Sequence, residues 1–405
     1  MRTLLLLAAL IQTGAIATSQ VAVKADTIHT VSGPTITDGV VIITDGKITA
    51  VGPAAEIRIP AGHEVLTAAV CVPGLVDIRA TVGLTGIYNA DGQAHDQDQL
   101  ERSEPIQPGL RAIDAYNPRE ALLDYVRAFG VTTIHTGHAP GPLISGQTMI
   151  AKTRTTTVAD AVINPFFGVA ATLSPKAQSG SGAPGTRGKT YAMLREALIG
   201  AQEYKASIAN HDGEGPPPSR DLAKEALVAV LDGEAPLIVT ANRAQDIASA
   251  LRLKEEFGLT MWLDMAAEAY TLIPELQAAK VPVLLHPTTY RAFSDTKNLS
   301  FTTAAQLSQA GIPFAIQTGY ESYVPKVRVL LFEAAIAAAH GLGPERALQA
   351  ITLTPARLLG IADRVGSIEI GKDGDLALFD GDPFEYTSHV CAVVIEGEIW
   401  SNECW

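Results

Sequence analysis

Three histidines occupy positions from which chemistry could be done. His135 and His138 follow the β-branched run 131–134 in "TTIHTGHAPGPLISG", and His286 ends the apolar run "VPVLLH". Imidazole serves as a general base near neutral pH and as a common metal ligand. With Arg79, Lys152, Tyr320 and Glu321 these side chains could line one cavity, either metal-free or with a metal on the three histidines. The plainer alternative makes His135 and His138 hydrogen-bonded loop residues and His286 the cap of a strand. A three-residue gap between histidines off a helix does not by itself specify a metal.

Two further motifs dissolve on inspection. "GTRGKT" ends like a phosphate-binding loop, but that pattern needs glycine where Ala183 stands. The acidic stretch "HDQDQLERSEP" lacks the spaced oxygens and the glycine of a calcium loop.

The elements that must position these residues follow from pattern. In the middle of the chain the short apolar runs 131–134, 237–239, 261–263, 281–285 and 313–316 alternate with helical stretches such as "AQDIASALRLKEEFG". There Ile247, Ala250, Leu251, Leu253 and Phe257 recur mainly at three- and four-residue steps. Strand–helix alternation over this length predicts parallel βα units, most simply a (β/α)8 barrel at 76–365, with a doubly wound sheet as the alternative. Both ends of the chain read differently. "VSGPTITDGVVIITDGKITAVG" and "GSIEIGKDGDLALFDGDPF" are short strands joined by Gly and Asp turns. They predict one small β-sandwich built from residues 18–75 and 366–405. The run "VCVPGLVD", punctuated by Pro73 and Gly74, reads as a buried strand.

The chain has 405 residues, is 47% hydrophobic and carries a net charge of −13, with no basic block. That balance argues against nucleic acid or an anionic membrane as partner. Arg2, the apolar run 4–11 and Ala15-Ile16-Ala17 read as a signal peptide over 1–17, so an exported, periplasmic protein is expected. No later run is long and apolar enough to span a bilayer. Three cysteines make no disulfide framework, although a bridge to Cys404 stays open.

The two ends also carry a resemblance. "GPTITDGVVIITDGKITAVG" followed by "VPGLVD", with "ITLTPARLLGIADRVGSIEIGKDGDLALFDGDPF" at the far end, resembles the amidohydrolase superfamily, and within it the imidazolonepropionase-like and prolidase-like branch. The resemblance implies a distorted (β/α)8 TIM barrel beside a β-sandwich. It also implies a divalent metal, Zn or Mn, at the C-terminal mouth of the barrel, which activates water and polarises the scissile carbonyl. The ligands implied are His-x-His after the first strand, histidines after the fifth and sixth, an Asp after the eighth, and in some members a carboxylated Lys.

Residue by residue, this sequence departs from that pattern. Arg79 and Thr81 take the first two places, Thr240 and Asn242 the fifth-strand places, Met265 the sixth and Gly319 the eighth, while the Lys place falls near Ala170. Hydroxyl, thioether, amide and glycine do not assemble such a site, so no metal cofactor is expected. Arg79 then either recognises an anionic ligand or plugs the emptied mouth against a carboxylate such as Glu321 or Glu268. The plug is the favoured reading, because an unfilled polar cavity is costly. The function expected is that of a metal-free pseudoenzyme. Its partner would be an intact amidohydrolase paralogue or a second copy, or its ligand a small amide or peptide. The alternative is a hydrolase of carbon–nitrogen bonds in cyclic amides or dipeptides that uses a non-standard site.

Overall fold

In the computed structural model the described residues are 20–86, 98–154, 156–178, 182–213, 215–289, 293–320 and 330–404. The proposed leader and Glu321 lie outside them. The run "VCVPGLVD" turns out to be two strands rather than one. β4 (Glu64–Pro73) is the central strand of the first sheet, and β5 (Leu75–Ala80) begins the second. Gly74 sits at the junction, where its N–H donates to Asp375 O at 2.9 Å. A Cβ there would lie 2.2 Å from Thr132 Oγ1, so a side chain would wedge the two sheets apart.

The first sheet joins both ends of the chain. β1 (Gln20–Ile28), β2 (Ile36–Thr44), β3 (Lys47–Pro53) and β4 meet β13 (Leu376–Phe379), β14 (Val390–Ile395) and β15 (Glu398–Ser401) in the order β15-β14-β13-β4-β1-β2-β3. The expected sandwich is thus one seven-stranded sheet folded over its own core. Val23, Ile28 and Ile43 from one end pack with Leu376, Leu378 and Val394 from the other. Cys391 and Cys404 form a disulfide and Cys71 is a buried thiol.

The second sheet is an eight-stranded barrel of β5, β6 (Val131–Gly137), β7 (Ile144–Lys152), β8 (Val162–Thr172), β9 (Leu237–Ala241), β10 (Met261–Met265), β11 (Val283–Leu285) and β12 (Phe314–Ile316), laddered in chain order. All neighbours pair in parallel except β7, which runs antiparallel to both β6 and β8. The reason is local. Only residues 138–143 join β6 to β7, too few for the helical crossover that a parallel pair requires.

Val76, Ile78, Ile150, Ile238, Trp262, Leu284 and Ala315, from six strands, fill the barrel interior. The alternate residues Leu237, Val239, Leu263, Val283 and Ile316 pack outward with helical side chains such as Ile247, Leu276 and Leu307. This inside–outside alternation brings the polar residues at the strand ends into one place. Among the described residues, no helix is long and apolar enough to cross a membrane.

Candidate functional site: a filled barrel mouth

Arg79 is the largest fully buried side chain among the described residues, and it lies near the C-terminal end of β5. Its Nη1 donates to Ala80 O at 2.9 Å and its Nη2 to the carbonyl of His138. Its guanidinium carbon stands 5.2 Å from the centre of the Tyr320 ring, a cation–π contact in a site sheltered from water. Tyr320 OH in turn donates to Asp264 Oδ1 at 3.1 Å.

Asp264 is the hub of the mouth. Thr240 donates from β9 to its Oδ2, and Gln317 Nε2, just beyond β12, donates to its Oδ1 at 2.6 Å. The second buried carboxylate, Asp77, accepts from Arg79 N at 3.2 Å and from Thr318 Oγ1 at 2.6 Å. This last bond ties the region after β12 to β5, the two ends of the ladder. Burial pushes the Asp77 carboxyl up to about 7, against the pull of Thr318, the Arg79 backbone and the Arg79 charge. Burial, and then the Arg79 charge, pulls His135 down to about 3 and His138 to about 4, so both rings are neutral at neutral pH. His135 Nδ1–H donates to Ile78 O at 2.7 Å, which leaves Nε2 to accept from Thr148 Oγ1 at 2.8 Å.

The other places where the resemblance puts metal ligands are also filled or shaped otherwise. Met265 and Ala266 adopt positive φ (70° and 54°), an uncommon backbone for residues with side chains. Gly319 has φ +80°, and a Cβ there would lie 2.5 Å from His286 Nε2, so the imidazole occupies the space an Asp side chain would need. His286 Nδ1 faces Gln317 O at 3.2 Å and Glu333 Oε1 at 4.0 Å. Thr81 is buried, Asn242 is bound to Asp295 and Ala267 N, and Ala170 is a buried residue of β8.

Arg79, His138, Thr240, Tyr320, His286 and Gly319 therefore belong to one connected region at the C-terminal strand ends. Lys152 does not. Because β7 runs backwards, its last residue reaches the opposite end of the barrel, where Lys152 Nζ pairs with Asp373 at 3.0 Å and Asp375 at 2.5 Å. Glu268 does not meet Arg79 either, since its oxygens accept from Ala244 N and Asn298 Nδ2. His135 and His286 have separate partners, and the ring nitrogens of His138 make no hydrogen bond of good geometry. Among the described residues no three His, Cys, Asp or Glu side chains converge as a metal site would require.

The donor set answers the question of fit. A guanidinium, two hydroxyls, a thioether and a glycine at positions 79, 81, 240, 265 and 319 do not match the nitrogen and carboxylate donors that Zn or Mn takes. Asp77 and Asp264, which the sequence reading missed as the mouth's own carboxylates, have their oxygens committed to protein donors. Their signal was present as an Asp inside otherwise apolar strand runs, "GLVDI" and "MWLDM". A charge at such a position must meet a buried partner.

Comparison with known proteins agrees with this frame. A family model described as "Amidohydrolase family" matches residues 287–399. The amidohydrolase tasK of Hapsidospora irregularis is 24% identical over 89% of this chain, although the match covers only 39% of that longer protein. The imidazolonepropionase of Maricaulis maris is 24% identical over 89% of this chain and 92% of its own length. A solved amidohydrolase from Thermotoga maritima superposes with a TM-score of 0.85 at 28% identity, covering 94% of this chain and 99% of that one. With its eight-stranded barrel and its sheet drawn from both termini, this chain belongs to the amidohydrolase superfamily, on the imidazolonepropionase-like branch.

Proposed function

We propose that this amidohydrolase-family protein is a metal-free pseudoenzyme that binds a small ligand, or serves a catalytically intact partner, without hydrolysing it. The observation that carries this reading is the Arg79 guanidinium, buried at the strand end where the family resemblance puts the first metal-binding histidine and stacked on Tyr320. Water activation needs several ligands in fixed geometry and a free proton acceptor. The two mouth carboxylates already accept bonds from Thr240, Gln317, Thr318 and Tyr320.

Export to a periplasm, suggested by residues 1–17, belongs to the same proposal, and cell fractionation with an antibody to the mature chain tests it. Purified protein offered dipeptides and cyclic amides with added Zn²⁺ or Mn²⁺ should show no turnover above buffer. Metal-dependent turnover at ordinary enzyme rates would overturn the pseudoenzyme reading.

A further inference from the structure

Among the described residues, no carboxylate forms an ion pair with the buried Arg79 cation. A guanidinium carries five N–H donors, and the protein uses two of them, on the carbonyls of Ala80 and His138. Nε is buried with no hydrogen-bond partner. Asp77 spends its oxygens on the Arg79 backbone N–H and on Thr318, and Asp264 on Thr240, Gln317 and Tyr320. Neither buried carboxylate of the mouth therefore neutralises the guanidinium through a direct pair. An isolated buried charge is costly unless something pairs with it.

A second observation points the same way. His138, whose carbonyl already holds Arg79 Nη2, has both ring nitrogens buried outside good hydrogen-bond geometry, although the Gln99 carbonyl lies near enough to act weakly on the ring. The ring lies against Gly146, where a Cβ would come within 2.3 Å of it, so its placement depends on that glycine. The neutral ring offers one N–H donor and one acceptor.

We infer that Arg79 and His138 form a binding site for a small planar monoanion of the carboxylate class. This deepens the proposed function, on which it rests, by naming the ligand chemistry. The Nε–H and an adjoining Nη–H present the edge that a carboxylate takes in bidentate fashion. His138 donates a third hydrogen bond, and the Tyr320 ring covers the guanidinium face. Since Arg79 is 1% exposed, only the small charged end of a ligand is proposed to reach it. It is either a free one-carbon anion or the carboxylate end of a longer ligand.

The test titrates formate into the full-length mature protein by calorimetry in a zwitterionic, low-chloride buffer, with neutral formamide as control. The expected result is saturable one-to-one binding of formate and none of formamide. Arg79→Gln should weaken binding by roughly tenfold or more, and His138→Ala severalfold. Absence of saturable formate binding in the unaltered protein would overturn the site, as would unchanged binding in Arg79→Gln. Should Arg79→Gln fail to fold, bromide-soaked crystals of the unaltered protein decide instead. An anomalous peak within contact of Arg79 Nε upholds the site, and a mouth without one overturns it. Metal content is read on the same samples. Stoichiometric metal with formate still bound through Arg79 would remove the pseudoenzyme reading while upholding the anion site.

Discussion

Arginine at position 79, where the family resemblance implies histidine, does more to the chemistry of the barrel mouth than leave out one ligand. Its side chain brings a permanent positive charge among buried groups, and the neighbouring imidazoles answer to it. His135 and His138 are held at about 3 and about 4, far below the ordinary value of 6.5, by burial first and by Arg79 second. The sign follows from linkage. A depressed imidazole binds its proton more weakly in the folded state, so its contribution is full above pH 6.5 and is lost as pH falls towards the folded value. Between about pH 6 and 4, stability should decline by up to about 1.4 kcal/mol per pH unit for each ring. His138→Gln should remove one ring's share of that slope, as urea titrations across this range will report. A second prediction concerns Arg79→His combined with Thr81→His. Thr240, Met265 and Gly319 still offer no ligand set, so the pair should give no hydrolysis with added Zn²⁺ or Mn²⁺. It should also melt several degrees lower, since the Tyr320 stacking and two carbonyl hydrogen bonds are lost. The departures from the family pattern at 79, 81, 240, 265 and 319 are what the resemblance implies when set against the sequence. The buried carboxylates Asp77 and Asp264 and their partners Thr318 and Gln317 could not be read, because they meet only after the barrel brings residues more than fifty positions apart into contact.

At the scale of elements, the barrel was legible because apolar runs and amphipathic helices alternate, and the terminal sheet because turn residues punctuate β-branched runs. The reversal of β7 was not read, though the cause lay in plain sight as the six-residue connection 138–143. That reversal explains why Lys152 leaves the mouth and joins Asp373 and Asp375 beneath it. The pair is buried and links a barrel strand to the segment leading into β13. Lys152→Met should therefore cost about 3–5 kcal/mol, the usual penalty for stranding a buried charge, and chemical denaturation will measure it. Gly319 makes a complementary case. Its φ of +80° and the 2.5 Å approach of His286 to a hypothetical Cβ mean that Gly319→Ala should destabilise by about 3 kcal/mol. A neutral Gly319→Ala would show that His286 can swing aside and that the space for an acidic ligand still exists.

For the molecule as a whole, the amidohydrolase scaffold is independent of what fills its barrel mouth. The barrel interior and the folded terminal sheet have their own apolar cores, so neither needs a metal to bury its hydrophobic surface. A metal that binds only the folded state would add stability by mass action, and stripping it would lower the melting temperature. Here the mouth is closed by a cation–π contact and by hydrogen bonds to Asp77 and Asp264, none of which a chelator can reach. The most direct measurement is the Zn, Mn and Fe content of protein purified without chelator, paired with thermal melts before and after EDTA. The account predicts far less than one metal per chain and superimposable melts. One metal per chain, with a melting temperature that falls on chelation and recovers with Zn²⁺ or Mn²⁺, would contradict it.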